Sequence, residues 1–322
     1  MRYVIGVEGT QAGTTTVVAD ATGCVLGIHH GVALPLLHET GGWEGARRGI
    51  SEGMQGAIAM ADLQNARFAA ACLGLGEKPE VLEALCVAVV PAERLLFAPL
   101  SRLALASVTF GKPGVAAFAG AGAMVCGVNA AGEIATAGGW GGIICEEGSG
   151  SWIAARALSA CCRAVDGVGP QTAILPLLLA HLEATDFREV YCRLSEGALT
   201  PPRVLALMDL TRLAAAQGDA VALRILREAG RELGVAVSVT LRRLGMEKEQ
   251  PTVGTVGEVF QAGRLVLRTF REVVQRSAGG AVFAAPQTSM AVGAVVLALT
   301  ALGVEITETV QTHLSRPALS SR

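Results

Sequence analysis

Gly138-Gly139-Trp140-Gly141, followed after a short apolar link by Glu146-Glu147-Gly148-Ser149-Gly150-Ser151-Trp152-Ile153, is the stretch on which the reading of this chain turns. Consecutive glycines let backbone N–H groups come close to an anion, and serine hydroxyls add further donors. The apolar spacing after Gly150 predicts a helix over Ser151–Arg163, whose N-terminus favours negative charge. Glu146 and Glu147 therefore have two readings, as caps of that helix or as carboxylates of a site. Trp140 has two as well: it stacks on the apolar face of a ligand, or it is core.

Upstream of this stretch lie a predicted strand Val115–Ala119, a glycine turn Gly120–Gly122, a strand Met124–Val128 and a turn Asn129–Gly132. The same unit opens the chain. Strand Tyr3–Val7 runs into a Gly/Thr-rich turn, Glu8–Thr16, then strand Thr15–Ala19, a turn signal at Asp20–Gly23 and strand Cys24–Ile28. A strand-turn-strand unit that appears twice is what two related lobes leave in a sequence. Between the copies the pattern predicts a helix over Gly45–Leu63, a strand Ala69–Leu75, a helix about Pro79–Leu85 and a strand Cys86–Val90. Beyond them helices are expected at Gln171–Leu182, Pro201–Gln217 and Asp219–Leu244, with a strand Thr252–Val256 ending in Gly257. Met290–Leu302 reads as a buried helix, too short to span a membrane. The expected domains are 1–114, 115–303 and a flexible tail 304–322.

Composition agrees with an α/β protein: hydrophobic residues make up 51% and aromatics 4%, with Gly 40, so the core is built from Ala, Val, Leu and Ile. A net charge of -2 and a pI near 6.2 exclude a strongly basic face, and with it a nucleic-acid partner. No secretory or membrane-spanning run opens the chain, so a cytoplasmic protein with no membrane partner is expected. The eight cysteines form no CxxC pair and are expected to fill a reduced core.

Four ordered segments resemble the N-acetylglucosamine kinase family and its relatives, the BadF/BadG/BcrA/BcrD-type ATPases of the actin/hexokinase superfamily. They are Ile5–Thr14 with Val17–Asp20, Phe118–Ala123, the GGWG and EEGSGSWI stretch, and Val256–Phe260 with Pro286 and Gly293-Ala294 downstream. The resemblance implies a two-lobed, ribonuclease H-like fold with a central cleft, each lobe a mixed sheet flanked by helices. It implies ATP and Mg2+ as cofactors and a small, sugar-like acceptor. On this pattern Gly9, Thr10, Gly13 and Thr14 form the first phosphate loop, and Gly120, Ala121 and Gly122 the second. Gly257 and Glu258 lie at the adenosine turn. Glu8 contacts the hydrated metal, Glu146 and Glu147 are the catalytic carboxylates, and His38, Glu39, Trp140 and Gly141 face the sugar. Family members often pair, so a homodimer is expected.

The chain departs from that pattern at several points. Thr10-Gln11-Ala12 replaces a Gly-Gly-Thr-like run, and Ala121 and Ala123 stand where Thr and Ser are usual, removing two hydroxyl donors. Each lost donor to a charged phosphate costs about 1.5 to 3 kcal/mol. Glu258 replaces a glycine; its carboxylate either meets a ribose hydroxyl or is solvated. Leu100 stands where the family has its general base, and no Asp or Glu lies between Glu93 and Glu133. Two functions remain: a weakened amino-sugar kinase or ATPase, or a catalytically inactive kinase-like binding or regulatory protein. A third, an iron-sulfur activator ATPase, lacks its cysteine motif here.

Overall fold

The structure is a computed structural model that describes residues 2–10, 13–33, 42–75, 83, 86, 92–141, 144, 146–196, 201–261 and 263–316. It divides into two compact units, Met1–Ala116 with Ala284–Arg322, and Ala117–Phe283.

The first unit is built on β1 (Tyr3–Thr10), β2 (Gly13–Asp20), β3 (Val25–Gly31), β4 (Phe68–Gly74) and β5 (Leu95–Phe97), in the order β3-β2-β1-β4-β5. β1 and β2 form an antiparallel hairpin with Tyr3 opposite Asp20 and Thr10 opposite Gly13. β4 runs parallel to β1, and β5 parallel to β4. β-Branched residues fill the pleat, and Val4, Ile5, Val17 and Val18 are fully buried because helices cover the sheet. Asp20 fixes the turn into β3: its Oδ1 accepts from the Thr22 amide at 2.8 Å and the Cys24 amide at 3.1 Å. Helix α1 (Gly42–Met60) buries Ala46, Ile50, Met54, Ala57 and Ile58, a single helical face, in this core.

The second unit's sheet contains β6 (Gly114–Ala119), β7 (Ala123–Val128), β8 (Ile134–Gly138), β9 (Thr252–Val256) and β10 (Val282–Ala284), in the order β10-β9-β6-β7-β8. Taken from its other edge, this order repeats that of the first sheet strand for strand. The duplication expected from the sequence is thus present in the topology.

Helices α2 (Leu100–Thr109) and α10 (Met290–Ala301) belong to the first unit. α10 is apolar on all sides and buried, as its sequence predicts. It packs on β1, β2, β4 and α2. Its backbone comes so close that a Cβ on Gly6 would overlap the Ala291 carbonyl oxygen. The sequence-based division had placed this helix with residues 115–303. The supposed tail differs too, for α11 (Glu308–Leu314) is an ordered helix capped by Thr307. Val310 and Leu314, four residues apart, bury one face of it, and the His313 Nδ1 lies 2.9 Å from the Thr22 carbonyl oxygen. Only residues 317–322 of that segment lie outside the described residues. Cys86, expected in a strand, is helical and buried, while 87–90 lie outside the described residues.

Candidate functional site

The Gly120–Gly122 turn joins β6 to β7 and closes on itself through a bond from the Gly120 amide to the Gly122 carbonyl at 2.9 Å. Helix α3 (Gly150–Val165) starts directly against it. The Gly150 amide donates to the Gly120 carbonyl at 2.7 Å and the Ser151 amide to the Ala121 carbonyl at 3.1 Å. Ser149 is the N-cap, its hydroxyl accepting from the Trp152 amide at 3.1 Å. The first donors of α3, which a phosphate would otherwise meet, are thereby used within the protein. The turn itself is different: among the described residues, no hydrogen bond is donated by the Ala121 or Gly122 amide. Both residues are half-exposed. Adjacent unpaired amides on a glycine turn fit a phosphate group, and they supply the donors that the missing hydroxyls at Ala121 and Ala123 do not.

Carboxylates flank this turn on both sides. A Cβ built on Gly122 would lie 2.7 Å from Glu146 Oε1, and one on Gly120 would lie 2.8 Å from Glu258 Oε2. Burial raises the Glu146 carboxyl above its ordinary range. Since Ser149 caps α3, Glu146 is left to the turn. Glu147 is exposed at the adjacent corner. Gly148 accounts for the glycine that follows the two glutamates: its φ is 84°, and a Cβ there would lie 2.7 Å from the Ala229 carbonyl oxygen in α7 (Ala220–Arg243). Gly257 is constrained likewise, with φ 106° and a Cβ there placed 2.3 Å from the Ala119 carbonyl oxygen. This close approach ties the turn at Gly257 to the end of β6 and starts the short helix α8 (Glu258–Gln261) beside Gly120.

Trp140 is 71% exposed, so the core reading is lost and a free aromatic face remains. It follows β8 beside Gly141, whose φ is 92°. His38 and Glu39 lie outside the described residues, as do Gln11 and Ala12 of the first loop. Glu8, Gly9 and Thr10 end β1, with Glu8 paired in register with Thr15 on one side and Gly74 on the other. Thr14 is buried and donates to the Val32 carbonyl at 3.2 Å, and Thr15 Oγ1 lies 3.2 Å from His30 Nδ1. The threonine hydroxyls that follow Gly13 are therefore engaged in holding β2 to the end of β3. Among the described residues no group of three or more metal-binding side chains occurs. Mg2+ takes only one or two carboxylates and draws its other ligands from water and phosphate. Glu8 fits that limited role.

Leu100 opens α2, half-buried, with Pro99 as the N-cap and no acidic residue in the first turn. Arg102 is the charged group near this point that the sequence reading passed over. Its cation pulls down the nearby Cys72 thiol, but burial outweighs it and pushes that thiol up to about 12. Cys161 is likewise held at about 12, chiefly by burial. Both thiols are protonated, inert core fillers. The open amides of Ala121 and Gly122 were also missed, since side-chain chemistry carries no trace of which backbone donors a fold leaves unpaired. No described helix is long and apolar enough to cross a membrane.

The sequence profile of the BadF/BadG/BcrA/BcrD ATPase family matches residues 5–298. An N-acetyl-D-glucosamine kinase of Dictyostelium discoideum is 27% identical over 278 residues, 81% of this chain and 86% of that protein. An N-acetylmuramic acid/N-acetylglucosamine kinase of Clostridium acetobutylicum is 28% identical over 198 residues, 62% of this chain and 65% of the clostridial protein's length. Among solved structures, a candidate N-acetylglucosamine kinase from Chromobacterium violaceum superposes with a TM-score of 0.73 at 26% identity, covering 93% of this chain and 99% of that one. The two five-stranded mixed sheets flanked by helices are thus the fold of actin/hexokinase-like sugar kinases.

Proposed function

This chain belongs to the BadF/BadG/BcrA/BcrD ATPase family, and from that premise we propose that it is an ATP-dependent kinase of an amino sugar of the N-acetylglucosamine class. The observation that carries the reading is the pair of open amides at Ala121 and Gly122, with the half-buried Glu146 carboxylate against the same turn. In this reading the amides hold a phosphate of ATP, and Glu8 contacts the accompanying Mg2+. Glu146 takes the proton of the acceptor hydroxyl, a role its raised pKa suits, with Glu147 beside it. Gly257 borders the adenosine, with Glu258 assigned to the same turn from the sequence, while Trp140 and Gly141 meet the sugar, with His38 and Glu39 likewise assigned there from the sequence. When bound, ATP supplies the transferred phosphoryl group and Mg2+ offsets its charge.

The test is ADP release with a panel of amino sugars, N-acetylglucosamine and N-acetylmuramic acid included. Magnesium-dependent turnover on at least one, lost in Glu146→Gln, supports the kinase; no turnover on any overturns it. One observation favours the inactive alternative, namely that Leu100 leaves the start of α2 without a carboxylate. That alternative predicts weak or absent binding of ATP-Mg and no ADP formed. The homodimer and the cytoplasmic location are parts of the same proposal. Light scattering at micromolar protein checks the dimer, for which a mass near 66 kDa, twice the 33.0 kDa chain, is expected.

A further inference from the structure

Both glycines of the Gly120–Gly122 turn are covered by carboxylates, Gly122 by Glu146 and Gly120 by Glu258. Neither glutamate makes an ion pair or a side-chain hydrogen bond among the described residues. The turn therefore offers two amide donors for an anion between two negative charges, neither of them ion-paired among the described residues. Glu146 is half-buried and belongs to the stretch that opens α3. Glu258 is different: it is exposed, it sits on a separate element, and the close seating of Gly257 on Ala119 is what brings it over the turn.

We propose that Glu258 is a specificity-determining residue that screens the phosphate turn, weakening its hold on an anionic ligand and favouring a nucleotide whose charge is offset by a divalent cation. The proposal rests on the nucleotide reading of this site and adds to it a direction for the carboxylate. A glutamate that served the ribose would assist nucleoside binding. One that screens the turn opposes phosphate and leaves the nucleoside indifferent. Its position against Gly120, in the phosphate turn itself, favours the screen.

The experiment is calorimetric titration of the full chain and of Glu258→Gln and Glu258→Gly with three probes: ATP without divalent cation, ATP with Mg2+, and adenosine. Both variants should bind metal-free ATP about fivefold more tightly, the factor for one unit charge at ~4 Å in water-like surroundings. The gain should shrink with Mg2+ and vanish with adenosine. Unchanged or weaker ATP binding by both variants overturns the proposal, and weaker adenosine binding replaces it with a ribose contact. If the parent and both variants bind no nucleotide at all, the nucleotide reading of the turn falls and the screen falls with it. Glu258 is exposed, so thermal melts of the variants should match the parent and confirm that folding is unaffected.

Discussion

Glu146 is raised by burial, and that has opposite consequences for stability and for chemistry. A carboxyl whose folded pKa lies above its unfolded value gives its full contribution to stability below the unfolded pKa, about 4.3. The contribution is lost as pH rises through the folded value. At neutral pH the ionised group is therefore a burden on the fold. Glu146→Gln removes it, so the thermal midpoint of the variant should exceed the parent's at pH 7 and the advantage should fade toward pH 4. ADP formation should meanwhile drop by about 10² to 10⁴, the usual worth of a general base. Melts from pH 4 to 8 beside a turnover assay check both. Gly257→Ala tests the other residue that shapes the turn. Its positive φ and the Ala119 carbonyl leave no room for a methyl, so a loss of about 1 to 3 kcal/mol in urea unfolding is expected, with weaker nucleotide binding.

Helix α3 and the β6–β7 turn are one structural piece, because Gly150 and Ser151 spend their amides on the turn's carbonyls. Ser149→Ala should cost about 1 kcal/mol as a lost cap. It should also loosen the turn, which amide exchange at Gly150 and Ser151 would register as faster than in the parent. This junction shows what was legible in the sequence. The helix could be read from Ser151 on, one residue late and with its cap sought at Glu146 or Glu147 rather than Ser149, and the turn from Gly120 and Gly122, because helical spacing and chain reversal are local properties. Their bonding to each other could not, since backbone carbonyls some thirty residues away leave no side-chain signature. Trp140 between glycines was likewise ambiguous until its exposure was known, because local spacing fits a core tryptophan as well as a surface one.

At the scale of the molecule, the twofold strand-turn-strand pattern disclosed the duplicated sheets, since each copy is built from near neighbours in sequence. The allocation of the last helices stayed hidden. α10 is apolar on every side, which says that it is buried and is silent on where; α11 shows only Val310 and Leu314 among polar neighbours. Ending the chain after Gly303 should lower the thermal midpoint by exposing the β2–β3 turn at Gly23, against which Val310 and Leu314 pack. Val310→Asp should do the same in the intact chain, and equal midpoints would show that α11 adds nothing. The return of α10 to β1 also orders events during synthesis. The first sheet is complete at Phe97, yet the helix that covers it begins only at Met290. At ~5 to 20 residues per second, the face that α10 covers waits roughly 10 to 40 s after β5 for its partner. The second unit, which is continuous in sequence, is by then complete. The apolar face of β1, β2 and β4 that α10 packs on thus stays uncovered in the nascent chain until the whole second unit has been made.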